Sequence, residues 1–501
     1  MIRISTVLLF LIFYSCNERL QKQEERLPNI VYILADDLGY GDVSLYNPDS
    51  KIATPNIDRF GAQGMRFTDA HSPSSVCTPT RYGILTGRYC WRSRLPKGVL
   101  QGYGQSMIDK EETTVAELLQ RKGYETGVVG KWHLGLDWMM KEEYIDSLKI
   151  HERQGILTNI NSNWIDFMKA PQNGPLSHGF DYSYILPASL DMDPYCYLEN
   201  DVLVSIPDDY TPGNDLNTGS YATGAFWRAG RMAHDFDFYE VLPTFIQNAN
   251  TFIQNHANTE KPFFLYLPLA APHTPWVPKE NYTGKSRAGQ YGDFVQMVDE
   301  AVGQVLKELD KNGLSDNTLV IFTSDNGPFW KPEFIERFDH RAAYIYRGMK
   351  MDAWDGGHRV PFMVRWPGKI RENSQSNQLT TLTNLIATIA DITENPLQSG
   401  EGMDSESILP VLLGGKPDSL TTVIHHSSKG MFAIRSGDWK YIDGLGSGGF
   451  SVPFNVIPKA GEPEGQLYNM KDDPGETVNL YDQYPQIVRE FREQLFIKTK
   501  E

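Results

Sequence analysis

A chain of 501 residues has room for a large buried core and for more than one domain. Its 47 Lys and Arg stand against 63 Asp and Glu, a net charge of −16, which argues against nucleic acid as the main partner, because such proteins carry a basic face. A polyanionic substrate is also repelled at long range, so any anion site here has to be built from a local cluster of cations.

The N-terminus reads as a targeting signal. Arg3 supplies the positive start, and Val7 to Tyr14 an apolar run far too short to span a bilayer as a folded helix. The run closes in Ser15-Cys16 and turns polar at once, which resembles a bacterial lipoprotein cleavage site with Cys16 as the lipid-bearing residue. Ordinary secretion with cleavage nearby is the competing reading, since Phe13 and Tyr14 are bulky for that site. The expectation is a periplasmic or cell-surface protein, with 1–16 as signal and 17–27 as a polar tether. Of the other cysteines, Cys90 and Cys196 are open either to one disulfide in an oxidising compartment or to two buried thiols.

Pro28 to Ala35 is a continuous apolar run, the pattern of a strand buried on both faces in a parallel sheet, and it hands over to Asp36-Asp37. Ligands sit beyond the carboxyl ends of such strands, and two adjacent acids there suit a divalent cation with oxygen ligands, calcium or magnesium. A solvated turn is the plain alternative. Thr54-Pro55 then opens a helix ending near Gly64. Around Cys77, Thr78 is the expected N-cap and Pro79 the first helical residue. That puts Cys77 just before a helix N-terminus, where free N–H groups favour an anion, with Arg81 one turn in. By itself Cys77 is equally well read as a small buried hydrophobe.

Thr113 to Lys122 has helical periodicity, and Tyr124 to Val129 reads as a second buried strand leading to Lys131 and His133, two residues apart and on one side of an extended chain. Residues 137 to 235 lack a strand–helix rhythm and are rich in aromatics, Asp and Asn; Asp191 and Tyr195 are the substrate candidates there. A helix over Tyr239–His256 and a strand over Lys261–Pro268 deliver His273, held between Pro272 and Pro275. A long helix over Asp293–Asn312 and a strand over Thr318–Thr323 deliver Asp325 and Asn326. Gly348 allows a turn bringing Lys350 over the strand ends, and His340 lies in the intervening loop as a further pocket candidate. Thr380 to Ile392 reads as helix. Beyond Gly415 short alternating strands at Met431–Ser436 and Trp439–Ile442, and a helix near Pro485–Phe496, predict a smaller α+β domain. His425-His426 read as an exposed pair.

The run Cys77-Thr-Pro79-Thr-Arg81, followed by an apolar stretch and Thr86-Gly87-Arg88, resembles the signature of the type I sulfatases. The order and spacing of Asp36, Asp37, Cys77, Arg81, Lys131, His133, His273, Asp325, Asn326 and Lys350 are similar to that family from Asn29 to Gly368, and Leu467–Met470 with Asn479-Leu480 resembles its C-terminal domain. The resemblance implies an alkaline-phosphatase-like α/β fold, a mixed and mostly parallel sheet flanked by helices. It also implies a catalytic domain over 28–415 and an antiparallel α+β domain over 416–501. Cys77 would be converted to formylglycine by a maturation enzyme. Asp36, Asp37, Asp325, Asn326 and an oxygen of modified Cys77 would hold one calcium (or magnesium) ion. The metal and Arg81 would stabilise the hydrated aldehyde as the nucleophile, and the metal, Lys131 and Lys350 would neutralise the sulfuryl oxygens. His273, with Lys350 near it, would assist the leaving alcohol and His133 would take the last proton. Sulfated carbohydrate is the substrate the resemblance suggests, most like the arylsulfatase A and N-acetylgalactosamine-6-sulfatase branch. A phosphodiesterase or phosphonate hydrolase on the same scaffold is one alternative. A lipoprotein that merely binds sulfated glycans is another.

Overall fold

The computed structural model describes residues 26–146, 156–214, 224–416 and 422–500. The expected signal, Cys16 and most of the tether lie outside them. Five parallel strands form the centre of a large mixed sheet, in the order Thr318–Ser324, Asn29–Ala35, Phe263–Pro268, Glu125–Lys131 and Tyr182–Leu186. Phe362–Arg365 and Met65–Phe67 extend it antiparallel beyond the Thr318 strand, and short pieces at Leu198–Glu199 and Val202–Leu203 close the other edge. Every residue of the Asn29 and Thr318 strands is buried, which is why both read as unbroken apolar runs rather than alternating ones.

Helices flank this sheet in two packed groups. Pro55–Ala62, Val241–His256 and Gly289–Lys311 touch one another, as do Cys77–Thr86, Val115–Gln120 and Leu385–Ile392. A separate four-stranded antiparallel sheet, Thr422–His426, Phe432–Ser436, Trp439–Ile442 and Gln466–Asn469, carries the C-terminal helix Pro485–Lys500. Val488, Phe491 and Leu495 of that helix bury against Ile424, Ile434, Tyr441 and Leu467.

Three local expectations are corrected. The Cys77 helix begins one residue early, with extended Val76 as its N-cap, so Cys77 is its first residue. Thr78 does not cap, because its hydroxyl instead accepts from the Leu100 N–H at 3.4 Å. The helix expected from Thr380 starts at Leu385, since Thr380–Thr381 pair as a strand with Ala70–His71 and a tight turn follows. His425 and His426 are both buried, because they end an edge strand that packs against His358 and Ser74 rather than lying in a loop. Cys90 and Cys196 are separate buried thiols; the Cys90 sulfur lies 3.0 Å from His426 Nε2.

Candidate active site

The carboxyl ends of the central strands converge on one cavity of about 480 Å³, with Asp37, Cys77, Asp191, His273 and Lys350 among its lining. Asp36 and Asp37 follow the Asn29 strand, Lys131 ends the Glu125 strand, and Asp325 and Asn326 follow the Thr318 strand, so strand register sets their spacing. Asp37 takes a left-handed backbone (φ 65°), a conformation Asp tolerates, and its N–H donates to Asp325 Oδ1 at 3.2 Å.

Each cation in this cluster has an acid. The Arg81 guanidinium donates from Nε and Nη2 to Asp325 Oδ2 at 3.0 and 2.7 Å, and from Nη1 to the Lys131 carbonyl at 2.8 Å. The Lys131 ammonium donates to Asp36 Oδ2 (2.7 Å) and Ser189 Oγ (3.1 Å). Lys350 sits astride Asp37, with 2.8 Å to each oxygen. Asp36, Lys131, Arg81 and Asp325 are fully buried, where such pairs are screened little by solvent.

The two histidines have defined tautomers. A carbonyl can only accept, so His133 Nε2 carries the hydrogen it donates to Leu100 at 2.9 Å, and Nδ1 is left as a buried lone pair with no partner among the described residues. Burial, and Lys131 next, hold the His133 imidazole well below its ordinary pKa, so it is a neutral base. In His273, Nδ1 donates to the Thr274 carbonyl at 2.6 Å, which leaves Nε2, 3.7 Å from Asp37, as the nitrogen that gains or gives a proton. At His133 a backbone φ of 55° breaks the extended chain, so alternation no longer sets how this side chain sits relative to Lys131.

The acids fit a cation. Asp36, Cys77 and Asp325 present atoms within 4.8 Å of one another, as do Asp36, Asp37 and His273. Asp36 Oδ1 and Asn326 Oδ1 are buried without hydrogen-bond partners among the described residues, while Asn326 Nδ2 donates to Asp37 at 2.7 Å. Burial, and then the negative Asp36, push Asp325 up to about 7 in spite of Arg81. That is the strain of crowded carboxylates, and a hard divalent ion relieves it. Burial also raises the Cys77 thiol, outweighing Lys131 and Lys350, so an unmodified Cys77 is a neutral thiol and a poor nucleophile.

Of the substrate candidates, Asp191 lines the cavity, 4% exposed, with its Oδ2 gripped by Arg228. Burial alone would raise it, but His273 and Arg228 hold it down at about 2. Tyr195 and His340 do not reach the cavity, which corrects their reading as pocket residues. The Tyr195 ring is buried between Phe236 and Phe238 and its hydroxyl donates to the Arg228 carbonyl at 2.7 Å. His340 is buried against Trp330 with Nε2 on Asp42 at 2.7 Å. Residues the sequence reading missed are Ser189, Arg228, Ser428, Lys429 and the Leu100 carbonyl. None carries a periodic or motif signal; only the grouping of Ser189 two residues before Asp191 offered a lead.

Paired acids, fixed ammonium groups and two oriented imidazoles at the mouth of a parallel α/β sheet define a hydrolase of anionic esters. The profile of the sulfatase family matches residues 28–395, and the chain belongs to that family. It is 33% identical to an N-acetylgalactosamine-6-O-sulfatase of Bacteroides thetaiotaomicron, over 97% of this chain and 96% of the relative. Human arylsulfatase A is 31% identical over 91% of this chain and 83% of its own. A solved structure from work on glycosaminoglycan metabolism by Bacteroides thetaiotaomicron superposes with a TM-score of 0.81 at 31% identity, covering 95% of this chain and all of that one. The protein is a sulfuric ester hydrolase.

Proposed function

We propose that this sulfatase cleaves O-sulfate esters of carbohydrate, with Cys77 converted to formylglycine and one calcium (or magnesium) ion held by Asp36, Asp37, Asp325 and Asn326. The observation that carries the reading is the gathering of a buried Cys77, four oxygen-bearing side chains and two oriented histidines at the strand ends, with Cys77, Asp37 and His273 lining one cavity. The similarity to a relative named N-acetylgalactosamine-6-O-sulfatase, nearly end to end, supports a sulfated amino sugar as the leaving group. When bound, the ion would polarise sulfuryl oxygens, and the hydrated aldehyde would supply a nucleophile the thiol cannot.

The chain's own groups do the rest. Lys131 and Lys350 carry fixed charge toward the sulfuryl oxygens; burial opposes the Lys350 charge, but Asp37 holds its ammonium protonated far above any working pH. With its Nδ1–H committed to Thr274, His273 protonates the departing sugar oxygen from Nε2 in its imidazolium form, which burial and then Lys350 oppose and Asp37 favours. His133 Nδ1, the bare lone pair, receives the proton released when sulfate leaves. The protein would be exported and anchored through Cys16.

A peptide mass spectrum across Cys77, on protein matured by a formylglycine-generating enzyme, tests the nucleophile. The expected outcome is the formylglycine mass with sulfate release from 6-O-sulfated N-acetylgalactosamine. Active protein with intact cysteine, or turnover of phosphodiesters but not sulfate esters, overturns the reading. Metabolic labelling with a radiolabelled fatty acid, lost in Cys16→Ala, checks the anchor.

A further inference from the structure

The cavity joins two parts of the fold. The turn Ser427–Met431, between the first two strands of the C-terminal sheet, brings Ser428 and Lys429 to the cavity that Asp191 and Arg228 also line. That turn is tied to the reacting end: the Ser428 N–H donates to the Met351 carbonyl at 3.1 Å, and the Met351 N–H to the Ser75 carbonyl at 2.8 Å, two residues before Cys77.

Two buried polar atoms of the cavity lining lack a hydrogen-bond partner among the described residues, Asp191 Oδ1 (3.9 Å from His273 Nδ1) and Ser428 Oγ, in residues only 4% and 7% exposed. A buried acceptor or hydroxyl left unpaired is costly, and a ligand hydroxyl that satisfies it is strongly preferred over one that does not. The charge is uneven too. Arg228 is paired with Asp191 and Lys350 with Asp37, whereas Lys429 is exposed and forms no ion pair among the described residues. In a protein of net charge −16, a free ammonium at the cavity wall is a local exception to the prevailing field.

We propose that Asp191 Oδ1 and Ser428 Oγ read hydroxyl or amide groups of the sugar that carries the ester, and that Lys429 selects an acidic saccharide with a second anion beside it. This deepens, and rests on, the carbohydrate sulfatase reading. The second anion is a uronate carboxylate on the neighbouring sugar or a second sulfate on the same one. Both present oxygens to an ammonium, which binds them as a point charge without the fork geometry of arginine.

The test compares kcat/KM on matched pairs: a disaccharide of 6-O-sulfated N-acetylgalactosamine and a uronate against its carboxyl-reduced form, and the disulfated monosaccharide against the monosulfated one. The wild-type protein is expected to prefer the acidic member of at least one pair by about tenfold, and the pair that shows it identifies the anion. In Lys429→Met that ratio falls toward one, and Lys429→Arg retains most of it. Ser428→Ala lowers kcat/KM on the saccharides by roughly two- to tenfold, as loss of one hydrogen bond does, with most of the change in KM. Unchanged thermal unfolding of the variants shows that they fold. Equal turnover of acidic and neutral members, or a preference that survives Lys429→Met, overturns the proposal. If 4-nitrophenyl sulfate is cleaved and no saccharide is, the carbohydrate reading itself fails, an outcome distinct from the other two.

Discussion

His133 shows how much one hydrogen bond decides at the scale of a residue. Because Nε2 is committed to the Leu100 carbonyl, the bare Nδ1 has a single fate, to accept a proton, and burial keeps it uncharged until then. His133→Ala and His273→Ala are each expected to lower kcat by about 10²–10⁴, measured as sulfate release. Lys350→Met should cost about 10²–10³ in kcat/KM, since it removes a fixed charge and leaves Asp37 without its counterion. Removing divalent ions with a chelator should abolish activity and lower the unfolding temperature, with both restored by calcium, because Asp36, Asp37 and Asp325 are then offset by Lys131, Lys350 and Arg81 alone. The acids, lysines and histidines of the proposed site were legible in the chain because the chemistry proposed for them demands particular residue types at strand ends. Tyr195 and His340 were not, because an aromatic or an imidazole is chemically suited to a pocket and to a core alike, and only their neighbours separate the two.

At the scale of elements, the strands carry function through register. Gly130 precedes Lys131 with a backbone φ of 139°, and a Cβ there would lie 1.9 Å from the Pro268 carbonyl oxygen on the adjacent strand. Gly130→Ala is therefore expected to destabilise by about 1–3 kcal/mol in denaturant unfolding and to reduce kcat as Lys131 is displaced from Asp36. By contrast, the helix Val115–Gln120 opens on a reciprocal cap, Thr114 with Glu117, far from any reacting group. Apolar runs and helix stops were read correctly wherever local pattern suffices. The Cys77 helix started early because Thr78, a good cap by type, spends its hydroxyl on a distant segment. A contact between residues 78 and 100 leaves no local mark.

At the scale of the whole molecule, the two sheets are joined by a buried polar network. Lys440 donates to Asp355 (2.8 Å) and Glu476 (2.7 Å), Arg359 completes Asp355 (2.8 Å), and His71 and His358 meet Nδ1 to Nδ1 at 2.9 Å. His425 stacks on His358 with ring centroids 3.4 Å apart. His71, Asp355 and His358 come within metal-binding reach of one another, but Lys440 and Arg359 already neutralise that carboxylate. Lys440→Met leaves Asp355 and Glu476 facing each other in the interior and should cost about 3–5 kcal/mol, read by chemical denaturation. Acid should act on the same interior. Burial lowers His178 and His426 to about 4. Below the unfolded value of about 6.5 the unfolded chain binds more protons than the folded one, so stability falls with pH, by roughly 2 kcal/mol for each histidine at pH 5. Unfolding temperature measured from pH 7.5 to 5 checks the sign.

The chain by itself determined the class of fold, the family and the candidate polar groups at the strand ends, because those reside in short runs: apolar strands, the acids and lysines that end them, and the Cys77 motif. What only the tertiary structure decided is which polar groups share a wall. His425 and His426 are interior, Cys90 and Cys196 are apart, and Ser428 and Lys429 line one cavity with Asp191. These are contacts between segments hundreds of residues apart, set by how two sheets pack, and packing depends on the summed fit of many side chains rather than on any one stretch of sequence.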